Sequence, residues 1–349
     1  MNMDKNLPSA EPCFSKTRNK KILVTGGAGY IGSFITVSLI KSGFEPIVFD
    51  SLENGHKEAV GNKIKLFVGN LQKDVALLEK VIKEEKPAGA VHFAGYIEAG
   101  ESMIDPQKFF FNNVFSSLNL FKAMMRYRIS NLVFSSSAAV YGEPKKIPID
   151  ESDPKIPVNF YGESKLMIEK ILQSYDKAYG FNSIALRYFN ACGAALDGSR
   201  GEDHSPETHL IPLAIQAALG QRKEFKINGG DYPTPDGSCI RDYIHVIDLA
   251  QAHVVALESL LGEKSGFRAY NVGTGEGYSV IEVVKMVKKI SGVDFNAPIG
   301  PRRPGDPARL VAKADKIKKE LIWQPKYSDL KTIVESAWFW HKSHPRGYE

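Results

Sequence analysis

Cysteine is scarce in this 349-residue chain: Cys13, Cys192 and Cys239 are the only three. They are far apart and odd in number, form no Cys-x-x-Cys pair and stand beside no histidine at zinc-ligand spacing, so neither a disulfide framework nor a metal centre is expected. Reduced thiols in a cytoplasmic protein are the simplest reading. No apolar run approaches the ~18 residues of a membrane-crossing helix, so no membrane partner is expected. A surplus of one charge is missing too: the formal net charge is +5 with the signs interleaved, which argues against a nucleic-acid partner. Internal repeats and low-complexity tracts are absent. The first twenty residues carry Pro8, Pro12, scattered charge and no apolar core segment, which predicts a flexible leader and no secretory signal. His341 and His344, near a polar C-terminus, read as surface histidines.

What remains is an ordinary globular composition, long enough for two lobes or one large α/β unit. The stretch Lys21-Ile22-Leu23-Val24-Thr25-Gly26-Gly27-Ala28-Gly29-Tyr30-Ile31-Gly32 organises it. Consecutive apolar residues suit a strand covered on both faces, and Gly26, Gly29 and Gly32 allow a tight turn with nothing between backbone and ligand. A helix opening at about Ser33 then offers unpaired N–H groups and a positive dipole end to a pyrophosphate. The next strand, Glu45 to Phe49, ends in Asp50, where a carboxylate can bind an adenosine ribose diol. An acid there favours NAD over NADP, because a 2′-phosphate would meet a like charge.

Further strands are expected at Ile64 to Val68, ending at Gly69-Asn70, and at Ala88 to Phe93, running into the small residues Ala94 and Gly95. Helices are expected over 73–84 and, as one long amphipathic stripe, over 106–128. Strand Asn131 to Phe134 delivers Ser135, Ser136 and Ser137 at its C-terminal end, where open α/β sheets place ligands. A helix over 160–179 and a strand over 183–189 follow. This alternation predicts a Rossmann-type doubly wound parallel sheet. Prolines, glycines and loops increase after Asn190, with one apolar helix over 209–219. A smaller α/β substrate lobe is therefore expected over 191–349, beside a dinucleotide-binding domain over 21–190, with parts of 240–275 returning to the larger one.

Tyr161 and Lys165 are four apart, hence one helical turn apart on the same face. A free phenol near pKa ~10 is a poor base at neutral pH; a lysine ammonium one turn away and a cationic nicotinamide ring would both favour the phenolate. Ser137 can hydrogen-bond a reacting hydroxyl or pass its proton to Tyr161, although serines at a strand end also cap neighbouring backbone. Arg241 and Arg303 suit the oxygens of a phosphate-bearing ligand, or else pair with Asp242 or Asp306; spacing does not decide between these.

The runs 24–33 (Val-Thr-Gly-Gly-Ala-Gly-Tyr-Ile-Gly-Ser), 134–142 (Phe-Ser-Ser-Ser-Ala-Ala-Val-Tyr-Gly), 161–165 (Tyr-Gly-Glu-Ser-Lys), 186–190 (Leu-Arg-Tyr-Phe-Asn), 231–234 (Asp-Tyr-Pro-Thr) and 241–246 (Arg-Asp-Tyr-Ile-His-Val) resemble the extended branch of the short-chain dehydrogenase/reductase superfamily. Within it, they are similar to the UDP-glucose 4-epimerase family, from about Lys21 to the C-terminus.

The resemblance implies a homodimeric isomerase of galactose metabolism that acts on a UDP-hexose. Tyr161 would take the proton of the sugar 4-hydroxyl through a chain including Ser137, hydride would pass to tightly held NAD⁺, and the 4-keto sugar would turn and receive the hydride on its other face. By matching motifs, Tyr30, Ile31, Asp50, Asn54, Asn70 and Leu71 would contact NAD, with Phe93, Asn112, Lys165 and Phe189. Asn190, His209, Leu210, Lys226, Ile227 and Asn228 would line the UDP-sugar site, with Arg241, Arg303 and Asp306.

Departures from the family pattern are Asn70 and Lys313, where aspartate is common, and Ile97, where some members have lysine. Leu310 falls where side-chain bulk is linked to tolerance of N-acetylated sugars, and leucine is intermediate. Related readings are a nucleotide-sugar 4,6-dehydratase, disfavoured because Ala138 and Ala139 stand where such enzymes carry an Asp-Glu pair, and a UDP-glucuronate 4-epimerase. A non-catalytic NAD sensor could dispense with Tyr161 and Lys165, which are present.

Overall fold

The computed structural model describes residues 19–262, 266–303 and 306–349; the expected leader, Cys13 included, falls outside these apart from its last two residues. Seven parallel strands form one sheet: β1 (Lys21–Thr25), β2 (Glu45–Asp50), β3 (Lys65–Val68), β4 (Gly89–His92), β5 (Asn131–Ser137), β6 (Asn182–Tyr188) and β7 (Phe267–Val272). Their order is β7-β6-β5-β4-β1-β2-β3. The chain crosses from one side of β1 to the other between β3 and β4, and such a reversal opens a crevice over the strands' C-terminal ends.

Side chains alternate across a strand, and β1 shows what this does. Ile22 and Val24 face Phe34, Ile35 and Leu39 of helix Tyr30–Lys41, and Leu249, Val254 and Leu257 of helix Val246–Gly262. Leu23 faces the opposite layer, with Leu78, Leu120, Met124 and Leu172 from helices Val75–Glu85, Ser116–Arg126 and Phe160–Tyr179. Full burial of each such side chain contributes about 1.5–3 kcal/mol, so both faces are covered and the sheet is doubly wound, as the sequence predicts.

A third core lies outside the sheet. Ile211 and Ile215 of helix Leu210–Ala218 pack with Val283 and Val287 of helix Val280–Ser291 and with Ile333 and Val334 of helix Leu330–Ser343. Short strands frame it, among them Asn190–Cys192 beside Tyr243–His245 and Ile227–Asn228 beside Ile299–Gly300.

Two expected elements differ. The helix expected to open at Ser33 starts at Tyr30, because Gly29 is already extended and serves as its cap. The single helix expected over 106–128 is helix Pro106–Phe109, a π-helical turn Phe110–Phe115 and helix Ser116–Arg126. His341 and His344 are half-buried, not free surface groups, and His344 stacks on Trp340 with ring centroids 3.9 Å apart. Cys192 and Cys239 are buried free thiols. Among the described residues no helix is long and apolar enough to cross a membrane.

Candidate active site

The glycine loop is shaped by close approach. Gly26 has φ +73°, and a Cβ there would lie 2.6 Å from the Ala94 backbone nitrogen; a Cβ on Gly32 would lie 2.1 Å from the Gly26 carbonyl oxygen. The helix that follows has no side chain capping its N-terminus and no acid in its first turn, so its free N–H groups and dipole are left for an anion. Gly26, Gly29, Tyr30, Ile31 and Gly32 line a cavity of ≈ 570 Å³. Asp50 stands at its edge, Oδ2 accepting from Ala28 N at 2.9 Å and Oδ1 from Leu52 N at 2.8 Å. Burial raises its pKa and these two bonds oppose the rise; each oxygen keeps a further lone pair for a ribose hydroxyl. Asn54, Asn70, Leu71, Phe93, Ala94, Gly95, Asn112 and Phe189 complete the wall. Asn70 Oδ1 accepts from Gln72 N at 2.8 Å, an amide closing the turn at the cavity wall. The uncapped helix, the side-chain-free approach and the spare acceptors fit a dinucleotide.

At the C-terminal end of β5 the three serines take three different partners. Ser135 Oγ and Tyr188 Oη are 2.6 Å apart, Ser136 Oγ donates to Glu169 Oε1 at 2.6 Å, and Ser137 Oγ accepts from Ala139 N at 3.1 Å. Helix Phe160–Tyr179 begins opposite them: the Asn159 side chain accepts from Gly162 N at 2.8 Å, and a Cβ on Gly162 would lie 2.5 Å from Ala139 O. That approach seats Tyr161, 8% exposed, and Lys165, 3% exposed, against the strand end. Ser137 and Tyr161 line the smaller cavity. Lys165 lies behind it, Nζ donating to Ser135 O at 2.8 Å and sitting 5.7 Å from the Tyr161 ring centre.

Burial disfavours charge on both groups. It pushes the Tyr161 phenol up to about 12, with the Ser137 hydrogen bond acting the other way, and brings the Lys165 ammonium down to about 8. The Lys165 ammonium is held on the Ser135 carbonyl.

A second cavity of ≈ 1290 Å³ adjoins the first. Asn190 and His209 line both; Leu210, Lys226, Asn228, Arg241, Arg303 and Asp306 line the larger. Asp306 joins the two arginines, Oδ1 lying 3.1 Å from Arg241 Nη2 and Oδ2 accepting from Arg303 Nε at 3.0 Å. Asp242, the alternative partner, accepts instead from Thr274, Gly275 and Ala312.

Three expected positions line neither cavity: Lys165, which lies behind the smaller one, Ile227 and Leu310. Ile227 is buried in the third core, and Leu310 packs against Val140, Tyr141, Ile149 and Leu166. In the strand Ile227–Asn228 it is Asn228 that lines the larger cavity, and alternation turns Ile227 the other way, into the core. Sequence reasoning missed Glu53 and Tyr96, which line both cavities and join through Tyr96 Oη to Glu53 Oε1 at 2.5 Å. It also missed Glu202, which lines both as well. Only the pattern Glu-x-His-x-x-Glu-x-His over 202–209 marked it.

A seven-stranded parallel sheet with a glycine loop, an acidic strand end and a Ser/Tyr/Lys set at one crevice defines a nicotinamide-dinucleotide enzyme. The chain belongs to the NAD dependent epimerase/dehydratase family, whose profile matches residues 22–273. Within that family its similarity is to UDP-glucose 4-epimerases. The one from Halalkalibacterium halodurans is 49% identical over 328 residues, covering 94% of this chain and 97% of the relative; the one from Lacticaseibacillus casei is 47% identical over 328 residues, covering 94% and 98%. The solved UDP-glucose 4-epimerase from Bifidobacterium longum, in complex with NAD⁺ and UDP, superposes with a TM-score of 0.89 at 39% identity, covering 94% of this chain and 100% of that one.

Proposed function

We propose that this chain interconverts UDP-glucose and UDP-galactose in an NAD-dependent reaction, by transient oxidation at the sugar C4. The observation that carries this reading is the position of Tyr161 and Ser137 in the wall of the smaller cavity, next to the larger, arginine-bearing one. NAD⁺, when bound, supplies a hydride acceptor and a positive charge beside the phenol. Tyr161 takes the 4-hydroxyl proton and returns it, and Ser137 orients that hydroxyl. Lys165 holds the floor of the site and adds positive charge below pH ~8. Arg241 and Arg303 meet the diphosphate as charge-assisted donors, with Asp306 keeping them in register. The larger cavity gives the keto sugar room to turn.

In this reading residues 21–190, together with helix Val246–Gly262 and the strand Phe267–Val272, form the NAD-binding domain, and most of the remainder binds the sugar nucleotide. The test is to incubate the protein with UDP-galactose, and separately with UDP-N-acetylgalactosamine, and follow the epimer formed. Appearance of UDP-glucose without added cofactor supports the reading. Release of a dehydrated 4-keto product, or no turnover of either sugar, overturns it.

Homodimerisation belongs to the same proposal. Phe111 is 55% exposed, Phe115 45% and Met167 38%, on the π turn and the helix packed beside it, and exposed apolar groups of this size mark contact surfaces. Phe111→Asp with Phe115→Asp is expected to shift the light-scattering mass from two chains to one. The site of action proposed is the cytoplasm, where Cys192 and Cys239 stay reduced.

A further inference from the structure

Where the two cavities meet, the loop before helix Leu210–Ala218 gathers four ligand-type side chains. Glu202, His204, Glu207 and His209 each offer one donor atom, and all four atoms lie within 4.8 Å of one another. Glu202 Oε1 is 2.9 Å from His209 Nδ1 and 3.2 Å from His204 Nδ1. Glu207 Oε1 is 3.1 Å from His209 Nδ1, and its Oε2 is 4.0 Å from His204 Nδ1. Four donors around one zinc ion at about 2.0–2.1 Å stand roughly 3.3 Å apart. Both carboxylate side chains are only 5% exposed. His204 Nδ1 is buried without a hydrogen-bond partner: it faces Glu202 at 3.2 Å but lacks the alignment a hydrogen bond needs.

We propose that Glu202, His204, Glu207 and His209 bind one divalent transition-metal ion, zinc in the first place. Two imidazoles and two carboxylates suit zinc and its neighbours in the series, whereas magnesium and calcium prefer an all-oxygen shell. The frame is already set: Trp340 Nε1 donates to Glu202 O at 3.1 Å, Tyr348 N donates to Asp203 Oδ2 at 3.0 Å, and His209 is the residue before the helix. A site with four protein ligands is closed, so its part is structural. The ion fastens the loop to the head of the helix and fixes the partition between the cavities, which Glu202 and His209 both line. This goes beyond the epimerase reading, and its test reads metal and not turnover.

The test strips the full chain with a chelator, titrates it with zinc alone by calorimetry, and counts zinc per chain by elemental analysis after dialysis. Cobalt(II) loaded in place of zinc reports geometry through the intense visible band of four-coordinate cobalt. Expected are one zinc per chain and that band, with at least ~100-fold weaker affinity in His204→Gln and in Glu207→Gln, since even an indirect partner of a ligand is worth 10–100-fold. Circular dichroism checks that both variants fold. No stoichiometric zinc on the unaltered chain overturns the proposal, whatever the variants do. Zinc held with unchanged affinity in both folded variants overturns it too, because the ion then sits on other residues.

Discussion

Tyr161 carries a burden that burial alone does not lighten. With its phenol pushed up to about 12, it needs a positive charge close by, and each unit gained is about 1.4 kcal/mol of differential stabilisation. Tyr161→Phe is expected to cut turnover by roughly 10²–10⁴, the usual share of general acid–base catalysis, with UDP affinity by calorimetry unchanged. Wild-type turnover in that variant would remove Tyr161 from the role. A second residue-scale expectation concerns the pair beneath the site: Arg187 donates twice to Glu169, at 2.9 and 2.6 Å, and their side chains are 3% and 0% exposed. Glu169→Gln leaves a buried guanidinium short of its partner and should cost about 3–5 kcal/mol in denaturant unfolding. That Ser137 and Tyr161 share one cavity wall was legible from their order along the chain after the glycine loop. The separate partners of the three serines were not, since spacing does not say which hydroxyl meets which acceptor. Ile227 and Leu310, expected at the sugar site, stand in the cores beside it, since which way a two-residue strand turns its side chains is set by distant partners.

Among the elements, the interrupted helix over 106–126 shows where apolar periodicity runs out. The stripe is real, but Asn112 Oδ1 and Asn113 Oδ1 both reach Tyr96 N, at 3.0 and 2.8 Å. The wider π turn that places two adjacent amides on one N–H is of the kind often found at functional sites. No apolar count registers that contact. The glycine loop, in contrast, was readable, because a Cβ on Gly26 or Gly32 would collide with backbone. Gly32→Ala puts a methyl 2.1 Å from a carbonyl oxygen, so the backbone must move out of the shape that receives a pyrophosphate. Expected is protein purified largely without NAD, read from its absorbance ratio and from cofactor released on denaturation. Full cofactor occupancy in that variant would remove the loop from this role.

For the whole molecule, three buried histidines weaken the fold in acid. Burial lowers His92 to about 3 and both His245 and His253 to about 4, whereas in the unfolded chain each titrates near 6.5. Between those values the unfolded state binds protons that the folded state does not. Their contribution is therefore full above about pH 6.5 and is lost as pH drops toward 4, by up to about 1.4 kcal/mol per pH unit for each histidine. Thermal unfolding followed from pH 7 to pH 4.5 checks this, and His92→Gln, which keeps a donor and an acceptor near Thr25 and Ser117, should flatten the slope. The alternation of strands and helices made the sheet legible, as did the regular segment around 268–272. The edge that segment occupies was not, because adjacency between distant strands leaves no local mark. That edge has a consequence for biosynthesis. β7 is supplied by residues 267–272 and covers β6, which ends at Tyr188, so a ribosome must add some eighty residues before the flank of β6 is closed. During that interval the nascent chain exposes an unpaired ladder, open to pairing with a neighbour on the same message.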